Sequence, residues 1–546
     1  MRQKFLKIHP KDNVLVALEA LSPGTEIALQ EQTFTLRDTV RGKHKFAERD
    51  LTPGTPIHLY GTLVGRAHKT ILQGEALTVE NVVHETQDLV QRTPNLHWDK
   101  PDVHTLKKRT FLGYHRSDGQ VGTANYWVVI PLVFCENRNI EVMKEAFLEE
   151  LGFAHPNAYK NYVRTLVTLF QSKNPSFDNI ALKEAPSGGH QVFEHIDGIK
   201  FLTHQGGCGG TREDSEMLCA LIAGYLNNPN VAGATVLSLG CQNAQISILR
   251  EKLHGLNPDF DKPLLIFDQQ TEGTESLLLQ KAILETFKGL IEANKLRRKP
   301  AGLDKLTLGL ECGGSDGFSG ISANPTVGHV SDILAALGGK TLLAEFPELC
   351  GVEQELINRC TTASAATKFM QLMETYSDAA QAVNSGFDMN PSPGNIKDGL
   401  ITDAMKSAGA AKKGGTSPIT AILDYAEYAT KPGLNLLCTP GNDVESTTAL
   451  AGSGANLILF TTGLGTPTGN PIAPVVKIAS NSTLAQRMPD IIDVDTGPII
   501  TGQKSIPDMG EALLEYLIDV ASGNINTKSQ LLGQDDFIPW KRGISL

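Results

Sequence analysis

Short apolar runs that end in clusters of glycine and small polar residues recur along the chain from about residue 109. Four of these runs have the length of buried strands and lie at 127–134, 200–203, 234–239 and 263–267. Helical segments separate them, and the clearest, at 274–294, has apolar residues at every fourth position, namely Leu279, Ile283, Phe287 and Ile291. Strands that alternate with helices predict an α/β unit with a largely parallel sheet.

A second α/β unit follows a basic, proline-containing stretch at 295–305, and its apolar runs lie at 306–311, 341–345, 455–460 and 475–479. The first ninety or so residues differ, because the related segments LSPGTEI and LTPGTPI (21–27 and 51–57) carry the Pro-Gly pair of a type II turn. We therefore predict a small β-rich module at 1–92, a linker at 93–108, and α/β units at 109–298 and 299–546. Residues 151–197 are polar and aperiodic, and we predict no structure for them.

Size and charge narrow the class of protein. A chain of 546 residues is longer than a single domain with one hydrophobic core, so we expect two or more domains. Its net charge of −11 provides no basic surface for a phosphate backbone, so we expect no nucleic acid as a partner. No run approaches about 18 apolar residues and no apolar leader is present at the start, so we expect neither a membrane span nor a secretory signal. The eight cysteines form no Cys-x-x-Cys pair, which favours reduced thiols in a cytoplasmic protein.

Clusters of glycine and small polar residues carry the functional signal. They are GGCGGTREDS (206–215), SLGCQN (238–243), ECGGSDGFSGISANP (311–325), NPSPGN (390–395), TPGND (439–443) and TTGLGTPTGNP (461–471). Open α/β sheets bind ligands at the carboxyl ends of their strands, where glycine brings backbone N–H groups close to an anion. Tight turns are the alternative for any single cluster. None matches a phosphate-binding loop or a dinucleotide fingerprint, so we expect no nucleotide.

Several of these segments stand in the order found in one enzyme family. ECGGSDGFSGISANP, PSPGN, PGLNLL with PGND, and TTGLGTPTG with PVVKIASNS resemble successive signatures of altronate and galactarate dehydratases. IHPKDNV, GKHKFA and VVHE resemble that family's N-terminal SAF (antifreeze-like) domain. Cys135, Cys208 and Cys241 stand where the family has cysteines. Ala124 and Leu464 stand where basic residues are expected, which leaves the exact sugar acid open.

The resemblance implies the metal-dependent removal of water from a small-molecule sugar acid. D-altronate would give 2-dehydro-3-deoxy-D-gluconate in hexuronate catabolism, and galactarate is the alternative substrate. The implied cofactor is Fe²⁺, with Mn²⁺ or Mg²⁺ as alternatives, and a homodimer stays open. Such a reaction needs a base for the proton beside the carboxylate, an acid for the leaving hydroxyl, and a metal that stabilises the enediolate.

Candidate site residues follow predicted strands or lie in the family-like motifs. The candidate catalytic groups are Glu345, Glu348, Lys397 and Lys477. The candidate metal ligands are His44, His84, Cys208 and Cys312. The candidate contacts to substrate hydroxyls are Ser315, Asp316, Asn324, Asn395, Asn442, Asp443, Thr461 and Gly463. We also expect the N-terminal module to complete the site as a lid.

Two other functions stay open at this level. An iron–sulfur hydro-lyase would draw on Cys135, Cys208, Cys241 and Cys312, whose irregular spacing does not decide the matter. A sugar-acid binding protein would use the same glycine loops without turnover.

Overall fold

The N-terminal module is built from short antiparallel strands. The computed structural model describes residues 3–29, 32–87, 89–155, 157–172, 176–183 and 190–546. The strands of the module are β1 (Phe5–Leu6), β2 (Val14–Ala17), β3 (Glu26–Leu29), β4 (Gln32–Thr35), β5 (Lys45–Ala47), β6 (Pro56–Leu59), β7 (Thr62–Ala67) and β8 (Val82–Val83). They form sheets of order β1-β2-β5, β3-β4 and β6-β7-β8. The β-rich prediction is confirmed.

The predicted Pro-Gly turns are present in this module. Gly24 has φ +80° and Gly54 has φ +89°, the left-handed conformation that a type II turn needs at its third position. Thr25 N donates to Ser22 O at 3.1 Å and Thr55 N to Thr52 O at 2.9 Å, which closes each turn. The glycines of the repeat therefore form the tight turns that precede β3 and β6.

The central unit is a parallel sheet between helices. Its strands are β9 (Thr110–His115), β10 (Val121–Gly122), β11 (Tyr126–Pro131), β12 (Gly198–Phe201), β13 (Val231–Ser238), β14 (Leu264–Asp268) and β15 (Lys299–Gly302). Its helices are α1 (Asn137–Glu150), α2 (Ala158–Phe170), α3 (Arg212–Asn227), α4 (Ile246–Leu256), α5 (Gln269–Glu272) and α6 (Glu275–Ala293). The parallel sheet has the order β12-β11-β13-β14, and β9 pairs antiparallel with β10 and β15 beside it.

The helix predicted at 274–294 forms, and the face that it buries is only partly the predicted one. Leu279 is buried and Ile283 packs against the core as predicted, whereas Phe287 and Ile291 are exposed and Thr286 and Leu290 are buried instead. A Cβ at Gly289 would lie 2.2 Å from the buried Trp127 ring. The helix therefore turns its small residues to the sheet because the Trp127 ring requires a close approach.

The C-terminal unit has the larger sheet. Its strands are β16 (Thr307–Cys312), β17 (Lys340–Leu343), β18 (Ile419–Leu423), β19 (Gly433–Leu437), β20 (Leu457–Thr462), β21 (Val475–Ala479) and β22 (Val494–Asp495). Its helices are α7 (Ala323–Leu337), α8 (Glu353–Arg359), α9 (Ala363–Gln381), α10 (Pro393–Lys397), α11 (Asp403–Ala410), α12 (Asp443–Gly452), α13 (Ser482–Arg487), α14 (Gly497–Ile500), α15 (Ile506–Ala521) and α16 (Lys528–Leu531). All seven strands run parallel in the order β18-β19-β17-β16-β20-β21-β22, which confirms the predicted fold class.

Both α/β units and the module pack closely. A Cβ at Gly224 of α3 would lie 1.9 Å from Gly452 O of α12, so the two helices cross with their backbones in contact. Val14 and Val64 of the module share one hydrophobic core with Leu308 of β16. Within 151–197, residues 156, 173–175 and 184–189 lie outside the described residues, and α2 is the helix described in that segment.

Candidate active site

The strongest cluster of ionisable groups lies where β16 and β17 end. Glu311 and Cys312 are the last two residues of β16, and Glu345 follows β17. Carboxyl ends of neighbouring parallel strands meet at one edge of the sheet, which is where open α/β sheets bind ligands. Glu345 has φ +67°, an uncommon conformation for a residue with a side chain, and its N–H donates to Thr439 Oγ1 at 2.8 Å. The backbone there is held in a conformation that turns Glu345 toward β16.

A thiol, two carboxylates and two ammonium groups form the buried side of this cluster. The Cys312 thiol lies 3.0 Å from Glu348 Oε2 and 3.3 Å from Glu345 Oε2. Lys413 Nζ donates to Cys312 Sγ at 2.7 Å and to Glu345 Oε2 at 2.9 Å. Lys406 Nζ lies 2.6 Å from Glu348 Oε1. Each carboxylate on this side therefore has its own lysine.

A group of three carboxylates forms the other side. Glu311, Glu345 and Asp443 each offer an oxygen, and these oxygens lie within 4.8 Å of one another. Ser446 Oγ donates to Glu311 Oε2 at 2.6 Å, but Glu311 Oε1 and Glu345 Oε1 are buried without a protein partner. Buried carboxylate oxygens without a partner are costly, so they mark a place where a proton or a ligand belongs.

The pKa values differ sharply across the cluster. Burial and the Glu345 charge raise the pKa of Glu311 well above its usual range. Burial, together with the Glu345 and Glu348 charges, raises the pKa of Asp443 to about 7. Burial opposes the charge on Glu348, but the Lys406 and Lys413 ammonium groups outweigh it and lower the pKa of Glu348 to about 2. Neighbouring carboxyl groups with pKa values so far apart suit an acid–base pair.

A cavity of about 560 Å³ lies at the carboxyl edge of the central parallel sheet and is shared with residues of the C-terminal unit. Its walls include His204 and Cys208 from the central unit and Glu445 and Trp540 from the C-terminal unit. Glu445 lies in the first turn of α12, two residues after Asp443. The first turn of α12 therefore reaches the cavity through Glu445, whereas Asp443 is not among the residues that line it.

Of the predicted catalytic residues, the structure brings only Glu345 and Glu348 into the cluster. Lys397 ends α10 with an exposed side chain. Lys477 lies fully buried in β21, over the Phe460 ring, and its ammonium donates to Thr468 O. Burial lowers the pKa of Lys477 to about 8.

Among the predicted hydroxyl contacts, only Asp443 has a carboxylate in the cluster. Asn324 Oδ1 accepts from Thr461 Oγ1 at 2.7 Å, and Asn395 Nδ2 donates to Ser315 O at 2.7 Å, so these polar groups pair with each other. Asn442 caps α12, with its side chain bound to backbone N–H groups. These placements favour structural roles over the predicted substrate contacts.

Asp316, another predicted hydroxyl contact, is fully buried. Its Oδ1 accepts from Ser319 N at 2.9 Å and Ser480 Oγ at 2.8 Å, and its Oδ2 lies 3.0 Å from Lys43 Nζ. A Cβ at Gly463 would lie 2.3 Å from Asp316 Cγ, so no substrate fits between them. Both residues are packed within the protein, which favours structural roles, and the hydroxyl contacts of Asp316 and Gly463 stay predictions.

The four predicted metal ligands do not meet. His44 donates through Nε2 to Lys397 O at 3.0 Å, and His84 pairs with Asp403. Burial lowers the pKa of His44, and the hydrogen bond to Asp403 raises that of His84. Cys208 is exposed in the central unit, whereas Cys312 is buried in the C-terminal unit. Of the four, only Cys312 lies in the cluster, because His44 attaches the module to the end of α10 and His84 attaches it to the start of α11; metal binding by the other three stays a prediction.

Two lysines of the cluster, Lys406 and Lys413, were missed at the level of sequence. Lys413 is followed by two glycines in AKKGG (411–415), the pattern that marked the other clusters. That pattern was a usable signal for Lys413. Lys406 lies in the middle of α11, and its sequence neighbourhood carries no comparable signal.

Family comparisons cover nearly the whole chain. Residues 3–85 match the family model "Altronate/galactarate dehydratase SAF domain". Residues 113–294 match "D-galactarate dehydratase/Altronate hydrolase, second domain", and residues 303–545 match "D-galactarate/Altronate dehydratase, C-terminal". None of the helices described here has the length and apolarity to cross a membrane.

Individual relatives agree with the family models. An altronate dehydratase of Escherichia coli is 34% identical over 95% of both chains. An altronate dehydratase of Bacillus subtilis is 32% identical over 96% of both chains. A galactarate dehydratase (L-threo-forming) of Escherichia coli is 27% identical over 97% of this chain and 95% of the relative. The chain belongs to the altronate/galactarate dehydratase family, and it is a hydro-lyase.

Proposed function

We propose that this hydro-lyase converts D-altronate to 2-dehydro-3-deoxy-D-gluconate in hexuronate catabolism, without a nucleotide. Two relatives named altronate dehydratase, each aligned over at least 95% of both chains, support this substrate. The observation that carries the proposal is the group of three carboxylates at the sheet edge, with two partnerless oxygens and a pKa of about 7 at Asp443.

The proposed chemistry needs one group that gives up a proton near neutral pH. Asp443 meets this need, because its pKa of about 7 keeps a large protonated fraction where an ordinary aspartate has none. It is also the partly exposed member of the three. We assign it the role of protonating the leaving hydroxyl, and we assign Glu345 the role of accepting the proton through its partnerless Oε1.

Two lysines keep the remaining charges in place. Lys413 neutralises Glu345 on the side of Oε2 and leaves Oε1 free to act. Lys406 holds Glu348 as a carboxylate, which in turn lies 3.0 Å from the Cys312 thiol. Glu345 Oε1 can therefore exchange a proton, while Glu348 and Lys406 stay charged.

The cluster contains two groups of possible metal ligands, and they differ in how well they fit the proposed Fe²⁺, Mn²⁺ or Mg²⁺. Cys312, Glu345 and Glu348 fit a dication poorly, since Lys406 and Lys413 already supply two positive charges there. Glu311, Glu345 and Asp443 offer two oxygens without partners, and carboxylates suit these ions. An ion there would need Asp443 ionised and Glu345 Oε1 as a ligand, so it would replace the acid and base roles assigned above and would itself supply a positive charge for the enediolate.

The test is an anaerobic assay of the full chain with each metal in turn. D-altronate, galactarate and their epimers are supplied, and the keto-acid product is measured. Production of 2-dehydro-3-deoxy-D-gluconate from D-altronate alone supports the proposal. A higher kcat/KM for galactarate than for D-altronate would favour galactarate as the substrate. The galactarate dehydratase relative supports this second candidate. Absence of product from every sugar acid would refute both.

Asp443→Asn tests the proposed acid, because it removes the titrating carboxyl group and keeps the size of the side chain. We expect a loss of kcat of roughly 100-fold or more, and loss of the decline in kcat/KM as pH rises through about 7. Asp490→Asn is the control, since Asp490 is exposed in a turn outside the cluster. An unchanged pH profile in Asp443→Asn would remove Asp443 from the mechanism.

A further inference from the structure

The exposed cysteines of the chain all lie at one edge of the central sheet. Cys135, Cys208 and Cys241 are exposed, whereas the other five thiols are buried or half-buried. Each of the three follows one of three neighbouring strands: β11 ends at Pro131, β12 at Phe201 and β13 at Ser238. Free cysteine is among the residues most often buried, so three exposed thiols at one sheet edge call for a chemical reason.

The loops that carry these thiols are in direct contact. Phe134 N donates to Gly206 O at 3.1 Å, and Ala244 N donates to Gly207 O at 3.0 Å. A Cβ at Gly207 would lie 2.0 Å from Leu132 O, and Gly207 has φ +96°. The loop of Cys208 thus lies between the loops of Cys135 and Cys241. Glycine at position 207 allows both the positive φ and the close approach to Leu132 O.

Each thiol also stands just before a helix. α1 begins at Asn137, α3 at Arg212 and α4 at Ile246, so the three helices start two to five residues after Cys135, Cys208 and Cys241 respectively. Helix N-termini stabilise anions, and the thiolate is the form of cysteine that binds metal. Three helix dipoles therefore favour negative ligands at this edge.

We propose that Cys135, Cys208 and Cys241 bind an iron–sulfur cluster through three thiolates. A single ion with metal–sulfur bonds of about 2.3 Å would hold its sulfurs within about 4 Å of one another. Among the described residues, the groups of ligand atoms within 4.8 Å do not include these thiols. A cluster binds each thiolate to a different iron, so it accepts the wider spacing.

The nearby histidine does not complete a four-ligand site. His204 donates through Nε2 to Pro131 O at 2.7 Å, and its Nδ1 accepts from Gly206 N at 3.1 Å. Burial lowers the pKa of His204 to about 4, in keeping with a neutral ring whose two nitrogens are both used. Three thiolates therefore leave one iron of the cluster without a protein ligand from this edge.

A cluster held by these loops would lie beside a cavity. Cys208 and Glu445 of α12 both line this cavity of about 560 Å³. An iron without a protein ligand would supply a Lewis acid for the oxygens of a hydroxy acid bound there. This role of the open iron rests on the proposed function, but cluster binding itself does not.

The test uses the full chain, reconstituted anaerobically with ferrous iron and sulfide. Bound iron, acid-labile sulfide, visible absorbance and the electron paramagnetic resonance of the reduced protein are measured. We expect Cys135→Ser, Cys208→Ser and Cys241→Ser each to lose at least about tenfold in bound iron and sulfide. Cys350→Ser, at a half-buried thiol elsewhere, should keep both. Circular dichroism establishes that each variant is folded.

The outcomes separate the cluster from the reaction. Iron without sulfide in the wild type, or full iron and sulfide in the three variants, would overturn the cluster. A cluster in a protein that dehydrates no sugar acid would overturn the proposed function and leave the cluster standing. Full turnover by a variant that lacks the cluster would overturn the role of the open iron.

Discussion

Replacing Asp316 by asparagine tests whether this residue stabilises the fold or contacts the substrate. The Asp316 side chain is 0% exposed, and both of its oxygens are occupied by protein donors. Asparagine keeps one acceptor but turns an amide NH₂ toward two other donors, Lys43 Nζ at 3.0 Å and Asn481 Nδ2 at 3.1 Å. Breaking a buried ion pair by removing one partner costs about 3–5 kcal/mol. Lys43 keeps 20% exposure and a second carboxylate, so we expect about 3 kcal/mol.

Asp398→Asn provides the matched control. Asp398 also lies 3.0 Å from Lys43 Nζ, but its side chain is 29% exposed, so water replaces the lost pair. We expect less than about 1 kcal/mol for this change. The two variants thus share the lysine and the distance and differ in burial.

Hydrogen exchange of the amides of Phe318 and Ser319, which both donate to Asp316 Oδ1, gives the local free energy of opening. A denaturant midpoint gives the global effect. Equal losses in Asp316→Asn and Asp398→Asn would refute the reasoning. Normal stability with lost turnover in Asp316→Asn would instead support the predicted contact between Asp316 and a substrate hydroxyl.

Three further changes test the packing and the charges of the site. Lys413→Met should lower the unfolding free energy by about 3–5 kcal/mol because it leaves the buried Glu345 unpaired; Lys412→Met, at the half-buried neighbour, is the control in the same denaturant titration. Folding raises the pKa of Asp443 from 3.8 to about 7, so the unfolding free energy should fall as pH rises from about 4 to about 7, and Asp443→Asn should lose this slope. Gly207→Ala should lower Tm more than Gly273→Ala, because both glycines have φ +96° but only Gly207 has a close neighbour; equal shifts would contradict the close approach.

Local patterns predicted the four strands of the central parallel sheet and four of the seven strands of the C-terminal sheet to within a few residues, but not β18, β19 or β22. The run at 475–479 coincides with β21, and the run at 306–311 with β16 shifted by one residue. Such runs are predictable because a strand buried on both faces needs apolar residues throughout. The partners of Glu345 were not predictable in this way, since Lys413 lies 68 residues further along the chain. Contacts of that kind depend on the order of strands, which a single sequence does not encode locally.

The glycine clusters were correctly located and partly misinterpreted. A Cβ at Gly313 would lie 2.1 Å from Asp443 Oδ2, so this glycine makes room for a carboxylate of the site. A Cβ at Gly317 would instead lie 2.4 Å from Lys43 O of the module, so that glycine admits a neighbouring loop. Both needs select glycine for the same steric reason, and sequence alone does not distinguish a ligand from another part of the protein.

The N-terminal module contacts helix α11 and so bears on the cluster indirectly, without placing a histidine in it. Thr402 Oγ1 donates to Val64 O at 2.8 Å, and His84 pairs with Asp403, the first residue of α11. One turn later, the same helix places Lys406 Nζ 2.6 Å from Glu348 Oε1. A shift of the module would therefore move the lysine that keeps Glu348 charged, although His84 itself does not belong to the cluster. On this geometry the module positions a charge of the site instead of supplying a ligand.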